Sequence, residues 1–353
     1  MDMGLTRRQQ AILHILSQRE AGAATRELIT ELQKIFDAVA RVTVIRDMDI
    51  LLKLGLVKRI GKGRGVRYQE RIANSSLRLI HPDIYFSVDD AERQLLHARY
   101  HPSALSAFSQ AFTREEYMQI NTLNALYAKR IAALPSGIIR KEMERFTTEF
   151  SWKSSRIEGN TYSILDTERL LKEREEAEGH PHKEAQMILN HKAALESICA
   201  HPNDYSSVSL RTVEQLHALI VKDMGVQKGL RSAPVGILGT RYRPMGIRSQ
   251  LQEAFEQTLE HINAEPWAPA KSLIAFLMIA YIQPFEDGNK RTARLLGNAL
   301  LIAGHCCPLS FRSINEKEYK KAVILFYEQH NIRYFKQLFI EQFVYAVEHY
   351  FVK

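Results

Sequence analysis

The sequence predicts a mainly α protein: an all-helical core with one β-hairpin, preceded by a small basic domain of three helices. Three observations carry that expectation. From about Phe112 onward, apolar residues recur at helical spacing almost without interruption. One segment, Pro234 to Pro244, departs from the rule with β-branched and aromatic residues around Gly239. The first 72 residues also concentrate charge, with 14 Lys and Arg against 8 Asp and Glu, a net +6 within a chain whose total is +8.

The N-terminal elements follow from their spacing. Leu5 to Leu16 reads as an amphipathic helix burying Ala11, Ile12, Ile15 and Leu16. Thr25 is placed to cap a second helix with Leu28, Ile29 and Leu32 on one face. A third helix is expected from about Ala40 to Leu54, burying Val44 or Ile45, Met48, Leu51 and Leu52, and Gly55 stops it. Next come Leu56 to Ile60, a Gly-Lys-Gly-Arg-Gly turn, and Val66-Arg67-Tyr68. Three short helices followed by a basic hairpin resemble a winged helix–turn–helix domain, here residues 1–72. The resemblance implies duplex DNA as a partner. Arg41, Thr43 and Arg46 would face base edges or phosphates, and Lys62 and Arg64 at the wing tip would reach the backbone or minor groove.

Residues 73–111 carry prolines and short polar patches without a sustained period and read as a connector. The core, 112–353, shows helical spacing over Tyr117–Leu134, Ile138–Phe150, Thr167–Ala177, Lys183–Cys199, Leu210–Lys222, Leu251–Ile262, Lys271–Ile282, Arg291–Ala303 and Glu316–Glu328. Between two of these apolar runs lies QPFEDGNKRTAR, residues 283 to 294. Gly288 permits a positive φ that turns backbone N–H groups toward one point. The helix opening near Asn289 adds its unpaired amides and positive dipole end. Arg291 and Arg294 share a helical face, and Asp287 offers a hard oxygen to Mg²⁺. These residues predict a nucleotide-phosphate site.

The same string resembles the signature of the Fic (Fido) family, H-x-F-x-[DE]-G-N-x-R followed three residues later by a second Arg. Phe285, Asp287, Gly288, Asn289, Arg291 and Arg294 are in register, with Glu286 and Lys290 between them. Gln283 stands where the family has its catalytic His. Residues 154 to 160, SSRIEGN, resemble the family's inhibitory pattern [ST]-x-x-x-E-[GN] through Ser154, Glu158 and Gly159, on a helix expected near 151–160. The resemblance implies that Glu158 pairs with Arg294 and takes the place of a γ-phosphate. It makes 234–244 a flap that docks a target segment by strand addition beside ATP, with Leu238, Gly239, Thr240, Arg241 and Tyr242 in it. Adenine contacts are implied near Tyr319 and Tyr327.

Composition sets limits. Hydrophobic and charged fractions of 45% and 25% are ordinary for a globular protein. No apolar run reaches the length of a membrane span, and MDMGLTRRQQ lacks the apolar stretch of a signal peptide. Three cysteines, Cys199, Cys306 and Cys307, show no C-x-x-C spacing. The expectation is a reduced cytoplasmic protein without a membrane partner.

The resemblance implies a protein adenylyltransferase that moves AMP from ATP to a Ser, Thr or Tyr hydroxyl of a target protein, with Mg²⁺. A glutamine cannot take the hydroxyl proton, so transfer is expected to be weak or absent. Three readings stay open: a degenerate domain that uses ATP as a structural or regulatory ligand, activity kept through another group or a changed reaction, or a one-base departure from a His codon. The alternative function is a nucleotide-sensing, DNA-binding transcription regulator. A second copy of the chain completes the expected partners.

Overall fold

The computed structural model describes residues 5–17, 19, 21–71 and 74–352. Its N-terminal unit has α1 (Arg7–Ser17), α2 (Thr25–Leu32), α3 (Arg41–Lys53), β1 (Val57–Ile60) and β2 (Arg67–Glu70). The strands pair antiparallel from Val57↔Glu70 to Ile60↔Arg67. Ala11, Ile12, Leu16, Leu28, Leu32, Val44, Met48, Leu51 and Val57 form one buried cluster. Val44, rather than Ile45, faces inward, because Ile45 is 40% exposed. Buried Asp47 ties α3 to α1, accepting from Arg8 Nε at 2.5 Å and Gln9 Nε2 at 3.0 Å. Thr25 does not cap α2. The chain enters from Ala24, whose N–H is bound by the Glu27 carboxylate at 3.2 Å, so a first-turn acid does the capping. Gly61, at φ +80°, is required at the wing turn, since a Cβ there would lie 2.5 Å from the Gly65 carbonyl oxygen.

The connector holds a single α-helical turn, α4 (Pro82–Tyr85), and a 3₁₀ stretch over Pro102–Phe108. The core then runs through α5 (Arg114–Ala133), α6 (Ser136–Ile157), α7 (Ile164–Glu173), α8 (His182–Ala200), α9 (Leu210–Ile220), α10 (Arg248–Ala264), α11 (Ala268–Ile282), α12 (Asn289–Ala303), α13 (Glu316–Gln329) and α14 (Arg333–His349). A mainly helical fold is thus what the sequence predicts and what forms. Three differences matter. A reciprocal capping box between Thr113 and Glu116 starts α5 earlier than apolar spacing alone indicated. The Ile138–Phe150 helix and the motif near 151–160 are one helix, α6, which ends at Glu158 as its C-cap. Beyond the last expected helix lies α14, which buries Phe335, Phe339, Phe343 and Val347 at four-residue spacing.

The expected hairpin over 234–244 does not form. The chain turns at Leu238–Gly239, but the two arms do not pair with each other, and among the described residues the named strands are β1 and β2 alone. The outgoing arm is bonded to the connector instead: Arg243 N–H donates to the Ala98 carbonyl at 3.0 Å, beside an isolated bridge between Arg99 and Arg243.

The centre of the core is α11, buried from Pro269 to Ile282 except at Lys271. A helix apolar on all sides is covered on all sides. Its most extensive partner is α12, whose Gly297 lets the axes approach: a Cβ there would lie 2.5 Å from two Phe276 ring carbons. This packing fixes both ends of the loop 283–288. No helix among the described residues is long and apolar enough to cross a membrane. Gly297→Val is expected to lower unfolding free energy by about 1–3 kcal/mol through overpacking, read from the urea midpoint.

Candidate functional site

The loop between α11 and α12 is closed by its own side chains. Gln283 caps α11 in the left-handed region, φ +52°, and Gly288 caps α12 at φ +80°. Asn289 folds back, accepting the Phe285 N–H at 2.8 Å and donating to the Phe285 carbonyl at 2.8 Å. Beneath it, buried His217 donates from Nε2 to the Asp287 carbonyl at 2.9 Å and stacks on Phe285 at 3.8 Å. Burial pushes His217 down to about 4, so the ring is neutral near pH 7. Arg231 locks the other side, donating from Nε to the Gln283 carbonyl at 2.7 Å and from Nη2 to the Met245 carbonyl at 2.6 Å.

The result is a cavity of about 300 Å³ lined by Glu158, Lys183, Met187, Val235 to Leu238, Gln283 and Glu286 to Arg291. No side chain caps the start of α12. Its first N–H groups, with Lys290 and Arg291, therefore make an anion-attracting wall. Asp287 accepts from its neighbour Gly288 N–H at 2.6 Å and from Arg291 Nη2 at 2.8 Å.

Behind that wall is Arg294, wholly buried. Its Nε donates to Ser154 Oγ at 2.8 Å, its Nη2 to the Ser154 carbonyl at 2.9 Å, and its Nη1 lies 2.9 Å from Glu158 Oε1. Ser154 Oγ is in turn 2.9 Å from His191 Nε2, and His191 Nδ1 is 2.8 Å from the Met187 carbonyl. Burial, reinforced by Arg291, pushes His191 down to about 3. Neutral His191 then donates to that carbonyl and accepts the Ser154 hydroxyl, whose oxygen stays free to accept from Arg294. Burial pushes the Glu158 carboxyl up, but the cations of Arg294 and of Lys290, 3.8 Å away, outweigh it and hold it below the usual carboxylate range.

The structure brings together Gln283, Glu286, Asp287, Gly288, Asn289, Lys290, Arg291, Leu238 and Glu158. Ser154 and Arg294 lie one layer below them. Gly159, at φ +99°, begins the turn after α6. Other expected residues lie elsewhere. Phe285 is buried under the loop. Tyr319 sits beneath Arg294, its hydroxyl accepting from Nη1 at 3.5 Å, and Tyr327 packs against Tyr242, so neither lines the cavity. Thr240 donates to Glu328 Oε1 of α13 at 2.6 Å, and Arg241 donates to the Asp90 carbonyl of the connector at 2.9 Å. The reason is shared: buried Glu328 and the connector carbonyls are nearer partners than the cavity. Lys183 and Met187 line the site without any local signal in the sequence, while Val235 to Ile237 come from the incoming arm of the expected flap.

At the N-terminus, Arg41 and Arg46 are exposed, Thr43 is half-buried on α3, and Lys62 is exposed in the wing turn. The side chain of Arg64 lies outside the described residues.

Comparison with known proteins finds a family match that includes the loop between α11 and α12. Residues 207–301 match the Fic/DOC family. A protein adenylyltransferase Fic from Culex quinquefasciatus is 27% identical over 230 residues, covering 62% of this chain and 45% of the relative. One from Aedes aegypti is 30% identical over 186 residues, covering 51% and 37%. The chain thus spans less than half the length of these curated relatives. Among solved structures, Fic-1 (residues 134–508) from C. elegans superposes with a TM-score of 0.60 at 15% identity, covering 92% of this chain and 96% of that one. A Fic domain-containing signaling protein from Bacteroides thetaiotaomicron gives a TM-score of 0.52 at 21% identity, over 64% and 95%. This chain carries a Fic/DOC family domain.

The Glu158–Arg294 pair predicts a pH signature. A carboxyl held down by the fold adds stability above its unfolded value, about 4.3, and loses it as pH falls through the lower folded value. The stability difference between the wild-type chain and Glu158→Gln should be flat above about pH 5 and shrink toward acid. Denaturation series across pH check this, and a difference that grows on acidification contradicts the pairing.

Proposed function

We propose that the core binds ATP and is a Fic-type adenylyltransferase site, restrained by Glu158 and deprived of its base by Gln283. The carrying observation is the buried Arg294 guanidinium, whose Nη1 meets Glu158 beside the uncapped start of α12. The first amides of α12, Lys290 and Arg291 suit the phosphates. A γ-phosphate that displaced Glu158 would gain Nη1 of Arg294. Asp287 would hold Mg²⁺ through its single carboxylate, whose side chain is 54% exposed, with phosphate and water left to supply the other ligands. Among the described residues no cluster of three or more such side chains could hold a metal unaided. Bound there, Mg²⁺ would neutralise phosphate charge.

The protein's own groups bind and orient but do not take the hydroxyl proton. Gln283 donates from Nε2 to the Ala280 carbonyl at 2.6 Å, and its amide has no basicity near pH 7. His217 is no substitute, since it lies under the loop and bonds the Asp287 carbonyl. The incoming flap arm supports target docking. Among the described residues, no backbone group of Val235 to Leu238 has a backbone partner, and Leu238 is 98% exposed. That free edge beside the cavity suits a target segment bearing a Ser, Thr or Tyr hydroxyl.

Calorimetry should show ATP with Mg²⁺ binding the chain, Arg291→Ala weakening it at least about tenfold and Glu158→Gly tightening it. AMP transfer, read as self-labelling from α-labelled ATP, should be feeble and rise about 10²–10⁴-fold in Gln283→His with Glu158→Gly. Strong labelling by the unaltered chain would mean that another group accepts the proton. A doubly altered chain that binds ATP tightly yet labels nothing would leave a nucleotide-sensing regulator.

A specific observation also favours duplex DNA as a partner. The sizeable contacts of α3 are all with α1, α2 and β1, so the core does not cover it, and Arg41, Arg46, Lys53, Lys58 and Lys62 are exposed on α3 and the wing. Phosphate neutralisation releases counterions, so affinity of the full chain for duplex should fall steeply between 50 and 200 mM salt, by roughly 10²-fold or more for several contacts. Fluorescence anisotropy measures this, and a salt-independent signal would point to a protein partner.

A further inference from the structure

The outward face of α3 is not simply basic. At 100° per residue, Val42, Arg46, Asp49 and Lys53 project opposite the buried Val44, Met48 and Leu51, with Ile45 on the flank between the two faces. Val42 is 70% exposed and Ile45 40% exposed, and neither joins the apolar cluster beneath. Single exposed apolar side chains are ordinary on a surface. These two stand on the first turns of the helix that, in a helix–turn–helix, sets its N-terminal residues against base edges.

We propose that α3 reads thymine methyl groups in the major groove through Val42 and Ile45, so that the preferred DNA carries thymines where those side chains meet it. This rests on the DNA-binding reading above. Thymine is the base whose major-groove edge presents a methyl group. Branched aliphatic side chains gain by burying it, while the flanking Arg41 and Arg46 hold phosphates. Asp49, exposed on the same face, fits a cytosine amino donor rather than a phosphate. Charge complementarity selects the occupant. The exposed apolar side chains of α3 are Val42, Ile45 and, one turn further on, Ile50, on a helix whose Arg41, Arg46 and Lys53 are also exposed. A second copy of the face would bring those cations together, whereas DNA offers a polyanion with apolar points on the groove floor.

The test uses the full chain and a random-core duplex pool. The duplexes it enriches at low salt are resynthesised with deoxyuridine for thymidine, which keeps pairing and removes the methyl groups. The thymine duplex should bind tighter by about fourfold for each methyl buried. Val42→Ala with Ile45→Ala should bind both forms equally, keep the salt dependence and melt like the parent. A parent that does not distinguish the two duplexes overturns the proposal, as does a double variant that still does. Enrichment of no duplex removes the DNA reading itself, and self-association lost in the same double variant would assign the face to a second copy.

Discussion

A cation buried where two helices meet organises the core. Arg294 is wholly enclosed, and a charge in that position persists only if each of its donors is answered. The last turns of α6 supply partners twice through Ser154 and once through Glu158, and the Tyr319 hydroxyl of α13 accepts from Nη1 at 3.5 Å. The Ser154 contacts are independent of Glu158 and are backed by His191, whose own hydrogen bond to Met187 sets which nitrogen accepts. The guanidinium is therefore held at fixed height and angle whatever Nη1 meets. Nη1 alone meets Glu158, so the Ser154 contacts remain when that carboxylate is replaced.

The cavity depends on this anchoring from the other side. With α12 pinned at Arg294 and pressed on α11 at Gly297, the loop between them has little freedom. Asn289 closes it, His217 supports it from below, and Arg231 joins it to the flap base. The uncapped amides of α12 are thus aimed before any ligand arrives, and such preorganisation lets a phosphate site bind without a reorganisation cost. The flap is tied differently. Glu328 accepts from Tyr85 at 2.7 Å and Thr240 at 2.6 Å, and Arg93 lies 3.3 Å from it, so connector and flap share one buried carboxylate. The segment that borders the cavity is therefore joined to the strip of chain leading from the N-terminal unit.

Much of this was legible in the residues. Helical periodicity foretold the core, and the N-terminal charge and spacing foretold three helices and a turn rich in glycine. The loop 283–294 and Glu158 could be placed because each acts through a short fixed spacing: Gly288 must turn, Asn289 must reach back four residues, and Glu158 must lie four after Ser154. Local rules failed where partners are distant. The 234–244 arms have the composition of a hairpin, yet the outgoing arm bonds Ala98 because the connector lies along it. Tyr319 and Tyr327 have helical spacing, which cannot say whether an aromatic faces a ligand or a neighbouring helix.

The pairing of Glu158 with Arg294 and the glutamine at a family histidine position were implied only by the resemblance to the Fic family. What the sequence by itself determined is the mainly helical class and the left-handed turn at Gly288. These follow from backbone chemistry and side-chain type at short range. Only the tertiary structure decided that Lys183 and Met187 border the cavity, that His191 orients Ser154, that Thr240 turns to Glu328 and Arg241 to the connector, and that Val42 and Ile45 stay in water. Each depends on which surfaces meet across long sequence separation, and burial of a particular helix face is settled by the packing of the whole chain.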